Sequence, residues 1–213
     1  MTKSDRKDVK MNLPNKLTVL RICLVPVFMI VMMAPIPGLK DDLVLTGLIG
    51  AVIFILTSLT DMLDGKIARK YGLITDFGKF MDPLADKFMV FGALLSIIYR
   101  YDHLRPVFIW AAAIVMFREL AVTSIRLVVS GKEGLVVAAS WLGKVKTVLQ
   151  IVCISTVLLE PCVFYLFKDI EAVAKIGEMN ILSYVTMAAM LVMTLWSGID
   201  CLKSYWKFID SSK

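Results

Sequence analysis

Four aspartates stand at helical spacing in the stretch DMLDGKIARKYGLITDFGKFMDPLADK, residues 61–87. Asp61 and Asp64 are three apart and Asp82 and Asp86 four apart, so each pair shares one face of a helix. Two adjacent helices can then present four carboxylates to one point. Unpaired at low dielectric, such anions repel one another strongly. One or two divalent cations relieve that repulsion, and oxygen-only ligands select a hard ion, Mg²⁺ or Mn²⁺, over zinc. Ions of this kind also bridge phosphate oxygens, and a pair can polarise a phosphoryl group undergoing in-line displacement. Gly65, Ala68 and Gly78 lie among the carboxylates and are small enough for a flat ligand to approach the backbone. Asp76 falls off both helical faces and reads as a cap or turn residue of the connection.

Other metal chemistry is poorly supplied. The single histidine, His103, lies in a short connection, and the four cysteines form no C-x-x-C pair, so neither a zinc site nor a disulfide framework is expected. A second charged group is cationic. Arg118 and Arg126 in FRELAVTSIR (117–126), and Lys144 and Lys146 in GKVKTVLQ (143–150), stand at the polar ends of two consecutive apolar segments. Each alone can snorkel to lipid phosphates. Four together at the depth of the aspartates suggest a pocket for a second phosphate, with Glu119 pairing with one of them.

The elements that must position these groups are membrane helices. Of the 213 residues, 58% are apolar, where a soluble domain is nearer half, and the apolar residues gather in long runs. The pattern predicts an all-α membrane protein, six transmembrane helices in one bundle, as a single domain over 1–213. A cytoplasmic N-terminal segment (1–16) precedes the bundle (17–203), and a cytoplasmic tail (204–213) follows. The spans are placed at about 17–33, 43–60 (continuing helically through 68), 80–100, 106–129, 143–160 and 181–203. The first, from Leu17 to about Gly38 and containing Arg21 and Pro26, is too long for the apolar core of a signal peptide and reads as an uncleaved helix.

Spans three and four have apolar cores of only about a dozen residues before they meet charge. Charged groups at membrane depth face the bundle interior or water, so one shared polar cavity is expected. Lys and Arg concentrate in the N-terminal segment, the 61–87 connection, the 118–146 region and the tail. That distribution predicts a cytoplasm-facing cavity and both termini in the cytoplasm. The net charge of +6 lies beside apolar spans, so anionic membrane lipids or phosphorylated substrates, and no nucleic acid, are the expected partners.

The residues Asp61-x-x-Asp64-Gly65-x-x-Ala68-Arg69, followed after eight residues by Gly78-x-x-x-Asp82-x-x-x-Asp86, resemble the signature of the CDP-alcohol phosphatidyltransferases at every fixed position. The resemblance implies six helices, a homodimer, and a cytoplasm-facing site with two metal ions. It implies an enzyme that moves a phosphatidyl group from a CDP-linked lipid to an alcohol and releases CMP. By that likeness Asp61, Asp64 and Asp82 are metal ligands, and Asp86 is a ligand or the base for the incoming hydroxyl. The residues alone do not choose among the four for that role. Gly65, Ala68 and Arg69 would line the cytidine diphosphate pocket, with Gly78 beside it. Asn15, Thr18 and Arg21 in NLPNKLTVLR (12–21) would close the nucleotide or metal site from the first helix, capping being the alternative for Asn15.

The three stretches 12–21, 117–126 and 143–150 resemble those family members whose acceptor is glycerol 3-phosphate. Such enzymes convert CDP-diacylglycerol to phosphatidylglycerophosphate and CMP. An inositol phosphate acceptor would need the same cations, and serine or a second lipid are further alternatives. An intramembrane prenyltransferase also uses Asp-rich pairs, but in two separated motifs, whereas here all four lie within 26 residues. A cation transporter could use membrane carboxylates, yet the cationic group would repel its ion. The segment 161–177 matches no pattern.

Overall fold

The computed structural model describes residues 12–39, 41–71, 75–133, 141–167, 169–170, 177 and 179–209, without the side chains at 13, 14, 63–70, 76, 79, 127–133 and 207–209. Among the described residues the chain is all helical. The helices are α1 (Leu13–Met33), α2 (Leu43–Tyr71), α3 (Asp76–Arg100), α4 (Arg105–Glu133), α5 (Trp141–Leu166) and α6 (Ile181–Ile209). The expected six elements are therefore present. α2 runs as one helix through Asp64, Gly65, Ala68 and Arg69, and α5 extends past Glu160 through Pro161. The start of the unpatterned 161–177 segment thus belongs to α5, which ends at Leu166, and residues 168 and 171–176 lie outside the described residues.

Helices this long and this apolar form because the bilayer leaves the backbone no other partner for its N–H and C=O groups. Every helix exposes large apolar side chains, among them Ile30, Leu56, Leu95, Trp110, Phe117, Val152 and Trp196. In a membrane protein that is the face toward lipid. Five of the six helices are long and apolar enough to cross a membrane. The exception is α3, whose first three turns carry Asp76, Lys79, Asp82, Asp86 and Lys87. Its apolar part is only the second half, as the short run from Phe88 to Tyr99 suggested.

The helices close into a ring: α1 packs on α2 and α3, α2 on α5, α5 on α6, α6 on α4, and α4 on α3. The core inside it includes Phe28, Phe54, Leu94, Ile97, Phe108, Ile154, Leu158 and Met190. Lipid tails are as apolar as leucine, so helices associate through close packing rather than by escaping water. Small residues supply that closeness. A Cβ at Gly47 would stand 2.5 Å from the Leu158 carbonyl oxygen, and one at Gly92 would stand 2.8 Å from Val25.

The ring also decides how the two halves of the aspartate motif meet. α2 and α3 are consecutive, yet they touch each other only over a short stretch, and α1 packs along both. The two halves of the aspartate motif are joined across a third helix, not by direct pairing. At the other end of the bundle, the buried Glu160 carboxylate of α5 accepts the backbone N–H groups of Leu182 at 3.2 Å and Ser183 at 2.9 Å, and also the Ser183 hydroxyl. It satisfies the otherwise orphaned N–H groups that open α6 and fixes the antiparallel register of α5 against α6.

Candidate active site

On α1, Asn15, Thr18 and Arg21 recur every three residues, so they form one polar stripe on a helix that otherwise turns apolar groups outward. All three are buried, Arg21 completely at 0% exposure. Each meets the motif at a different point. The Asn15 Oδ1 accepts the Thr75 hydroxyl at 2.9 Å. The Thr18 hydroxyl donates to Asp82 Oδ1 at 2.7 Å. The Arg21 guanidinium pairs with Asp61 Oδ1 at 2.5 Å and stands 3.6 Å from Asp86 Oδ1. Asn12, not Asn15, occupies the N-cap position of α1, so Asn15 is a tertiary contact.

The start of α3 is built for this junction. Thr75, in extended conformation, is its N-cap, and its Oγ1 accepts the Gly78 N–H at 3.0 Å. The sequence reading gave a capping or turning role to Asp76, which instead opens the helix; its side chain lies outside those described. Gly78 is buried, and a Cβ there would stand 3.2 Å from Asn15 Oδ1, 3.3 Å from Thr75 Oγ1 and 3.8 Å from Asp82 Oδ2. Its missing side chain lets α1 and α3 meet beside Asp82.

Asp61, Asp82 and Asp86 are thus gathered on one side of α1. Asp82 is exposed and the other two are partly so, while Arg21, the cation beside Asp61 and Asp86, is sealed beneath them. Asp64 lies on α2 one turn beyond Asp61, with Gly65, Ala68 and Arg69 following on the same helix; the side chains from 63 to 70 are outside the description. Among the described residues no three carboxylates, thiols or imidazoles close into an ion-holding group. The donor set nonetheless fits a hard divalent cation. It is all oxygen, its carboxylates outnumber the one guanidinium beneath them, and it opens on the exposed side.

The second group stands on the other half of the ring. On α4, Arg118 donates to the Glu119 Oε1 at 3.0 Å and to the Ser197 hydroxyl of α6 at 2.9 Å. The Lys146 ammonium of α5 donates to the same Glu119 oxygen. Lys146 is 5% exposed. Gly198 makes room for the arginine, since a Cβ there would stand 3.2 Å from Arg118 Cγ. Two cations share one carboxylate, so the group keeps a net positive charge. α3, which carries Asp86, packs on both α4 and α5, and Asp86 is close enough to Lys146 for the two charges to interact.

Of the four cations read from the sequence, the structure joins Arg118 and Lys146. Lys144 is exposed, Arg126 lies two turns along α4, and neither takes an ion pair among the described residues. Glu119 pairs with both joined cations rather than with one. Ser197 and Gly198 were not singled out from the sequence. Their only trace is the pair Ser-Gly in the middle of an apolar helix (LWSGID), a weak signal because small residues there are ordinary packing residues.

This fold and site define a known class. The family model for the CDP-alcohol phosphatidyltransferases matches residues 11–197, and the chain belongs to that family. It is 47% identical over 160 residues to the CDP-diacylglycerol–glycerol-3-phosphate 3-phosphatidyltransferase of Bacillus subtilis, covering 73% of this chain and 80% of that protein. It is 34% identical to a probable phosphatidylglycerophosphate synthase of Mycobacterium tuberculosis, over 89% of this chain and 79% of the relative. A Yersinia enterocolitica protein bearing the same description as the Bacillus one is 31% identical over 93% of this chain and 97% of its own length.

Proposed function

We propose that the protein transfers the phosphatidyl group of CDP-diacylglycerol to glycerol 3-phosphate, giving phosphatidylglycerophosphate and CMP. The relatives' descriptions support this reading. The observation that carries it is the adjacency of an anionic group on α1–α3 to a cationic group on α4–α6. A CDP-lipid needs cations bridging its diphosphate to carboxylates, and a phosphorylated acceptor needs fixed positive charge of its own.

In this reading Arg118 and Lys146 hold the acceptor phosphate, and Lys144 and Arg126 contribute from the rim. The acceptor hydroxyl is thereby directed at the phosphorus that bears the diacylglycerol. Asp86, within electrostatic reach of Lys146, takes the proton as the oxygen–phosphorus bond forms. The bond to the CMP oxygen breaks as that bond forms, and CMP leaves with the electron pair. Two Mg²⁺ or Mn²⁺ ions held by Asp61, Asp64, Asp82 and Asp86 would supply charge neutralisation on the diphosphate and the leaving CMP. Gly65, Ala68, Arg69 and Gly78 border the nucleotide. The site faces the cytoplasm, and the working unit is a homodimer.

The test is CMP release by purified protein in detergent micelles of CDP-diacylglycerol with Mg²⁺ or Mn²⁺, adding glycerol 3-phosphate, inositol phosphate or serine singly. Release with glycerol 3-phosphate alone is the expected result. Release only with another acceptor would overturn the substrate and keep the reaction class. Loss of activity in chelator, restored by Mn²⁺, is the expected check on metal dependence.

A further inference from the structure

From the geometry at α1 we infer that Arg21 is a positioning residue, a fixed internal cation that holds the two halves of the aspartate site together. This rests on the metal-site reading given above, but its first observation does not. α2 and α3 touch each other only briefly, and α1 lies against both. Something on α1 must therefore join Asp61 to Asp86. Arg21 lies close to both, 2.5 Å from one carboxylate and 3.6 Å from the other through the same Nη1.

Three physical points favour positioning over contact with substrate. The side chain is completely buried, so it lies behind the carboxylates rather than on the surface a nucleotide would approach. Both contacts run through one nitrogen, Nη1, which the rigid plane of the guanidinium holds in place, whereas a lysine ammonium moves on a flexible stem. And carboxylates brought to one point repel until a cation stands among them. Before a metal ion binds, Arg21 is the cation the structure places there. Thr18, one turn earlier, does the same for Asp82 by a neutral hydrogen bond.

When divalent ions bind, Arg21 becomes one cation among several and its share of holding the carboxylates falls. The prediction is therefore specific to the metal-free protein. Thermal unfolding of wild type, Arg21→Met and Arg21→Lys would be followed in detergent with EDTA and with saturating Mn²⁺, alongside Mn²⁺ binding by titration. In EDTA both variants are expected to unfold at lower temperature than wild type, and Mn²⁺ is expected to close most of that gap. For Arg21→Lys, kcat is expected to fall on the order of 10²-fold, the scale of a misplaced reacting group, with KM for CDP-diacylglycerol within about threefold.

Equal midpoints in EDTA for wild type and Arg21→Lys would overturn the proposal. So would a tenfold or greater rise in KM for CDP-diacylglycerol at unchanged kcat, which would make Arg21 a diphosphate ligand. Arg21→Lys carries the test alone where Arg21→Met does not purify folded. Failure of the metal reading looks different, because wild type would then bind no Mn²⁺. The comparison in EDTA would still decide whether Arg21 joins the helices.

Discussion

The aspartate group of α1–α3 and the cationic group of α4–α6 are built on one plan with the signs exchanged. In the first, two carboxylates, Asp61 and Asp86, stand about one buried arginine, Arg21. In the second, Arg118 and Lys146 gather about a single carboxylate, Glu119. Each lone counter-charge lets like charges converge without neutralising them. In the proposed reading the residual charge is left for a ligand, divalent cations on one side and a phosphate on the other. The groups differ in access. Asp82 is exposed and its neighbours partly so, whereas Lys146 is almost fully covered. A hydrated ion can reach the first site from water. A phosphate at the second must shed more of its hydration, which favours the pre-organised, charge-assisted bonds found there.

Variants can break each half of this comparison separately. The largest effect is expected at Asp86, the proposed base, whose charge also interacts with Lys146. Asp86→Asn should lower turnover by about 10³-fold or more, within the range of lost general-base catalysis, while CDP-lipid binding by equilibrium titration changes little. An equal loss of binding would make Asp86 chiefly a metal ligand. On the cationic side, Arg118→Ala should raise KM for glycerol 3-phosphate about tenfold or more, as loss of a charge-assisted bond would, and leave KM for CDP-diacylglycerol nearly unchanged. An effect confined to the lipid substrate would dissolve the division of labour.

Glu119→Gln tests the counter-charge itself. It leaves Arg118 and Lys146 side by side without their shared anion, and removing one partner of a buried ion pair costs about 3–5 kcal/mol. Because Glu119 keeps slight exposure, about 3 kcal/mol is expected, read from the unfolding midpoint. Added phosphate should restore part of it, and no rescue would mean the two cations do not form an anion site.

The smallest effects are expected at two glycines, and their order is informative. Gly78→Ala places a Cβ 3.2 Å from Asn15 Oδ1 and 3.3 Å from Thr75 Oγ1, against two groups already bonded to each other. A destabilisation of about 1–3 kcal/mol is expected from such overpacking, with a loss of Mn²⁺ affinity because Asp82 is next in line. Gly198→Ala meets only the flexible stem of Arg118 at 3.2 Å. It should cost under about 1 kcal/mol and shift KM for glycerol 3-phosphate about twofold. A larger effect at Gly198 than at Gly78 would mean that the cationic side is the more tightly packed of the two.

Much of this site was legible in the residues. The spacing of Asp61, Asp64, Asp82 and Asp86 implied two helical faces, and both halves of the motif do lie on helices. The short apolar core of α3 foretold a helix polar over its first half. The spacing did not say whether the two aspartate pairs would meet directly or across a third helix, and the structure joins their helices chiefly through α1. The stripe Asn15, Thr18, Arg21 was visible, but periodicity says which side chains share a face and not what that face meets. For the same reason Asn15 looked equally suited to a cap, and Lys144 and Arg126 could not be separated from Lys146 and Arg118. Ser197 and Gly198 carried almost no signal, since small residues in apolar helices are ordinary packing residues.

The amino-acid sequence by itself determined the helices, the depth of the charges, and the oxygen-only chemistry of the aspartates. These follow from local rules: a bilayer demands helices, helices impose a period of 3.6, and ligand type selects the metal class. Only the tertiary structure decided that α1 packs along both α2 and α3, that Arg21 pairs with Asp61 and approaches Asp86, and that Glu119 gathers two of four candidate cations. Those choices depend on which helix faces fit closely enough to exclude lipid, with glycines such as Gly47 and Gly92 at the crossings. That fit is a property of pairs of surfaces, and no single stretch of chain contains it.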